Sequence, residues 1–89
     1  MRVARRYLLS GRVQGVGFRW FTETAAAREG IQGWVSNLPD GRVEIVAEGD
    51  VEALTRFERA VRQGPRGARV DHVDADETIP SDRMGFTIK

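Results

Sequence analysis

The chemistry of this chain concentrates in one run, Gly11-Arg12-Val13-Gln14-Gly15-Val16-Gly17-Phe18-Arg19, which holds three glycines within seven positions. Glycine lacks Cβ and reaches positive φ at little cost, so such a run can curl and aim several N–H groups at one point. A helix beginning just after it would add unpaired N–H groups and the positive end of its dipole. Arg19 stands at that start, and its flat guanidinium fork matches the spacing of phosphate oxygens. Together these features describe a trap for a small phosphate-like dianion. Arg12 can add charge at the loop, although a solvated arginine fits it better. Taken alone, the glycine run fits a tight strand–helix connection equally well. It lacks the Gly-Lys-[Ser/Thr] of a nucleotide P-loop, and its glycine spacing is not that of the dinucleotide fingerprint.

The flanking sequence supplies the elements that such a trap needs. Val3 to Ser10 reads as a strand, with Val3, Arg5, Tyr7 and Leu9 on one face. Trp20 to Glu29 reads as an alanine-rich helix with Phe18, Phe21 and Ala25 as its buried stripe. Gly30 sits where a left-handed C-terminal cap belongs. Ile31 to Ser36 and the alternating run around Val43, Ile45 and Ala47 form a hairpin across Leu38-Pro39-Asp40-Gly41. Asp50 caps a second helix whose stripe is Val51, Leu54, Phe57 and Val61, and Gly64-Pro65 stops it. Ala68 to Ala75 is a weaker strand, and Phe86 and Ile88 form a short edge strand. The order is strand, helix, strand, strand, helix, strand. That predicts an α+β, ferredoxin-like βαββαβ sandwich, with two helices on one face of a mainly antiparallel four-stranded sheet and a possible short fifth strand.

Composition narrows the function. With 89 residues one domain is expected, and a hydrophobic fraction of 40% beside 30% charged residues is that of a globular protein. The net charge of +1 gives no broad basic field, which argues against nucleic acid or anionic membrane as partner. No apolar run approaches the ~18 residues of a membrane span, and no signal-peptide core opens the chain, so a cytoplasmic protein is expected. There is no cysteine, one histidine (His72), and one lysine (Lys89). Thiolate chemistry, histidine metal clusters and an internal lysine nucleophile are thereby excluded. Asp71, Asp74, Asp76 and Glu77 resemble an acidic cluster but fit a solvated strand end better than a metal site. His72 fits a surface strand position, and Trp20 and Trp34 fit packing or shielding roles.

The run from Gly11 to Arg19, followed by Gly33-Trp34-Val35-Ser36-Asn37, resembles acylphosphatases, and the element order agrees over essentially the whole chain. The family has a polar residue after that asparagine; this chain has Leu38. The resemblance implies hydrolysis of acyl phosphates to carboxylate and inorganic phosphate without metal or cofactor. Arg19 and Asn37 match the family's catalytic pair, the arginine binding phosphate and the asparagine positioning the attacking water. Arg12, Val13, Gln14, Gly15, Val16 and Gly17, with Arg19, match its phosphate-binding loop. A monomer acting on a small-molecule acyl phosphate follows as the expectation.

Such chemistry suits these residues. A carboxylate leaves without protonation, since its conjugate acid has a pKa of about 4. A loose phosphoryl-transfer transition state asks for placement and charge stabilisation more than for a strong base. A neutral amide can provide the placement by accepting a hydrogen bond from water. Two other readings stand beside this one. The first is a non-catalytic phosphate- or phosphometabolite-binding module of the same fold. The second is kinship with the acylphosphatase-like domain of hydrogenase-maturation carbamoyltransferases, which are much larger assemblies.

Overall fold

The core of this chain lies between one sheet face and two helices. The computed structural model describes residues 1–89. Strands β1 (Arg2–Arg12), β2 (Gln32–Asn37), β3 (Val43–Asp50), β4 (Arg69–Thr78) and β5 (Phe86–Ile88) form one sheet in the order β4-β1-β3-β2-β5. Helices α1 (Phe18–Glu29) and α2 (Val51–Gln63) connect them. The pairings β1–β4, β1–β3 and β2–β3 are antiparallel; β5 runs parallel to β2.

One face of each strand supplies the core. Tyr7 and Leu9 of β1, Val35 of β2, and Val43, Ile45 and Ala47 of β3 pack with Phe18, Ala25 and Ala26 of α1 and with Leu54, Phe57 and Val61 of α2. Tyr7 is fully buried, and its hydroxyl donates to Glu58 Oε1 at 3.0 Å. Burial and then the adjacent Glu58 carboxylate drive the phenol pKa far upward. Burial also raises the pKa of Glu58, but hydrogen bonds from Arg62 and Tyr7 outweigh it and hold this carboxyl below its usual range.

Three details depart from expectation. Helix α1 begins at Phe18, because the left-handed Gly17 at its N-cap turns the chain directly into helix. Its buried face is Phe18, Thr22, Ala25 and Ala26. Phe21 is half-buried, its ring edge-on to Phe18 at 6.1 Å between centroids. Thr22 is tolerated inside because its hydroxyl donates to the Phe18 carbonyl at 2.8 Å. Strand β4 runs on to Thr78, three residues past the expected end at Ala75. Its acidic tail is a poor strand former, but the register sets Glu77 opposite Arg5 and Asp76 opposite Arg6. Arg5 and Arg6 pair instead with Glu58 and Glu44, so the backbone ladder with β1 is what overrules local preference there.

On the sheet face away from the helices, Glu48 is 2% exposed. Its carboxylate receives Arg2 Nη2 at 2.9 Å, the Ser81 amide at 3.2 Å and hydroxyl at 2.9 Å, and the Asp82 amide at 3.1 Å. Burial raises its pKa, and these donors more than reverse that, leaving it below the usual carboxylate range. The contact ties the β4–β5 connection to the sheet and so fixes the short strand that follows.

Candidate active site

The glycine run lies where β1 ends and α1 begins. Gly15 and Gly17 adopt φ of 75° and 76°. A Cβ at either position would meet nothing within 4 Å, so glycine is required there by backbone conformation and not by crowding. The resulting curl leaves the amides of Gln14 to Trp20 without a backbone carbonyl partner; the first bonded amide of the helix is that of Phe21, donating to the Gly17 carbonyl at 3.0 Å.

The two helix starts differ sharply. In α2, Asp50 caps the Glu52 amide at 3.1 Å and Glu52 places an acid in the first turn. In α1 the cap residue is glycine, no side chain caps the exposed amides, and no acid lies in the first turn. Its positive end is left open to an external anion.

A cleft of about 250 Å³ opens at this point. Its polar side consists of Gly15, Gly17, Arg19 and Asn37; Val13, Phe18, Trp20 and Ile88 complete the lining. The volume is below the ~300–1,000 Å³ typical of sites for drug-sized ligands, and suits a small anion. Arg19, in the first turn of α1, is exposed, and its Nη1 lies 3.4 Å from the Lys89 carbonyl as donor. Asn37 ends β2 on the face that carries Val35, which aims it at the start of α1. Its Oδ1 is buried, and no group of the protein donates to it. An unsatisfied buried acceptor costs about 1–3 kcal/mol, and such groups mark places where a water or ligand belongs.

The remaining residues of the run are placed differently. Val13 is fully buried and lines the cleft floor. The Gln14 side chain turns away from the cleft: Nε2 donates to the Leu38 carbonyl at 2.8 Å and to the Arg42 carbonyl at 3.0 Å, bracing the loop against the β2–β3 hairpin. Val16 is half-buried against the core. Arg12 closes β1, opposite Arg69, and is exposed outside the cleft lining. Leu38 serves through its backbone, whose amide donates to the Arg42 carbonyl at 2.8 Å. His72 is exposed on β4 with Nε2 3.0 Å from Asp74 Oδ1, and Asp71 pairs with Arg69 at 2.9 Å, both away from the cleft.

Sequence reasoning did not find Trp20 or Ile88 as lining residues. The alternation of Phe86 and Ile88 marked a strand but not its partner. The parallel pairing of Val35 with Ile88, and the bond from the Lys89 amide to the Val35 carbonyl at 2.8 Å, bring this end of the chain to the cleft. Trp20 is 68% exposed, so of the two expected roles, packing or shielding, it does not fill the first.

Fold and cleft together define a small α+β protein with a glycine-rich strand–helix turn whose amides are left unpartnered. The acylphosphatase family model matches residues 5–88. An acylphosphatase of Thermus thermophilus is 48% identical over 81 residues, covering 91% of this chain and 92% of that protein. The crystal structure of acylphosphatase from Bacillus subtilis superposes with a TM-score of 0.95 at 40% identity, over 98% of both chains. Full-length HypF, in a phosphate- and nucleotide-bound form, contains a similar unit: TM-score 0.93, 29% identity, all of this chain but 12% of that one. The chain belongs to the acylphosphatase family.

Proposed function

We propose a course for the reaction that family membership assigns, the hydrolysis of an acyl phosphate to a carboxylate and inorganic phosphate. The phosphoryl group of the substrate sits in the curl of the Gly11–Arg19 run. The amides left free between Gln14 and Trp20 donate to its oxygens, and the open end of α1 adds its dipole. Arg19 donates to the same group with its fork and stabilises the charge that spreads over the equatorial oxygens. A water bonded to Asn37 Oδ1 faces the phosphorus.

The water oxygen bonds to phosphorus as the bond from phosphorus to the acyl oxygen breaks. The electron pair of that bond leaves with the carboxylate, which needs no acid catalyst. One water proton passes to a phosphoryl oxygen, so an acyl phosphate dianion and water become a carboxylate and dihydrogen phosphate. The protein's part is electrostatic stabilisation and orientation.

The unpartnered, buried Oδ1 of Asn37 carries this reading, because a neutral acceptor facing an anion trap has one evident use, holding a water. The test is hydrolysis of benzoyl phosphate in the presence of EDTA, with inorganic phosphate as competing ligand. Turnover that persists in EDTA and is competitively inhibited by phosphate is expected. Tight phosphate binding without hydrolysis would instead make the protein a phosphate-binding module.

A further inference from the structure

We propose that Trp20 is the acyl-binding residue of the cleft, and that the protein favours acyl phosphates with an apolar, above all aromatic, organic group. The inference rests on the function proposed above and names the substrate class it acts on best.

Five large apolar side chains are exposed in this chain: Met1, Trp20, Ile79, Met84 and Ile88. Of these, Trp20 and Ile88 border the cleft. Trp20 is 68% and Ile88 39% exposed, whereas Val13 and Phe18, the other apolar lining residues, are buried at 0% and 2%. Trp20 and Ile88 therefore supply the apolar cleft surface that remains open to a ligand. An indole kept in water at the rim of a functional cleft has surface to gain by covering.

Position within the helix directs this surface. Trp20 is the third residue of α1, and long helical side chains lean back over the turn N-terminal to their own Cα. For Trp20 that turn is the glycine loop. In-line displacement sets the leaving acyl group on the side of phosphorus opposite the water, so away from Asn37 Oδ1. With the phosphoryl group held at the glycine loop, the rest of the cleft of about 250 Å³ leads to the rim, where the acyl group extends. No carboxylate side chain lines the cleft, so nothing there opposes an anionic substrate with an apolar tail. A flat ring offers the widest contact with the indole.

The experiment compares kcat/KM for benzoyl phosphate and acetyl phosphate in the wild-type protein, Trp20→Ala and Trp20→Phe. In Trp20→Ala the benzoyl-to-acetyl ratio should fall about tenfold, through a higher KM for benzoyl phosphate. Trp20→Phe should restore most of the ratio, since it keeps an aromatic face. A ratio within about twofold of wild type in Trp20→Ala would overturn the acyl-subsite assignment while leaving the hydrolytic reading intact. If the wild-type protein hydrolyses neither compound, both are overturned.

Discussion

Arg19 and Asn37 occupy the same cleft but are asked for different things. In the proposed reaction Arg19 is a cation whose fork meets the phosphoryl group in both ground state and transition state. Arg19→Ala should therefore lose phosphate affinity and turnover together, with kcat/KM for benzoyl phosphate down on the order of a thousandfold. Its present partner is the Lys89 carbonyl at 3.4 Å, a long contact that a phosphate can readily replace. Tyr7 illustrates the same logic in the core. Its hydroxyl bonds a carboxylate that Arg5 and Arg62 also hold at 3.1 and 2.9 Å. Tyr7→Phe leaves that carboxylate partnered, so urea denaturation should show a loss of about 1–2 kcal/mol and not the larger cost of an orphaned charge.

The element on which the proposed function turns is the connection between β1 and α1. Its glycine spacing and the arginine at its end could be read directly, because positive φ and a helix start have residue-type signatures. The order of strands and helices was legible for the same reason: α2 carries a clean stripe of Leu54, Phe57 and Val61 bounded by Asp50 and Gly64. What could not be read was set by pairing between distant segments. The Gln14 brace spans 24 and 28 residues to the Leu38 and Arg42 carbonyls. The extension of β4 depends on which β1 residues face it. Gly17→Ala tests the conformational argument. It should destabilise the protein by about 1–2 kcal/mol and weaken phosphate inhibition, because an alanine at φ of 76° is strained although space is open. Gly17→Asn, which tolerates the left-handed region, should recover part of both; equal losses in the two variants would point to a steric cause instead.

At the scale of the whole molecule, the site depends on how the chain closes. Ile88 and Lys89 reach the cleft because β5 pairs with β2, and the segment before β5 is held by Glu48. A buried glutamate in a strand gives no sequence signal of that duty, since its donors Arg2, Ser81 and Asp82 lie at opposite ends of the chain. The lowered pKa of Glu48 fixes the sign of its pH dependence. Its contribution is complete above the unfolded-state pKa of about 4.3 and is lost as pH falls through the lower folded-state value. Glu48→Gln should therefore cost about 1–3 kcal/mol near neutrality, with the gap to wild type closing in acid. Urea denaturation at a series of pH values measures both. A gap that stayed constant into acid would show that the anion is not what holds the segment.

The proposed role of Asn37 is to place water and not to bind phosphate. It is tested most directly by measuring benzoyl phosphate turnover and inhibition by inorganic phosphate for Asn37→Ala beside the wild-type protein. A fall in kcat of about a hundredfold is expected, with the phosphate inhibition constant nearly unchanged. Near-normal turnover, or a loss confined to phosphate affinity, would contradict it.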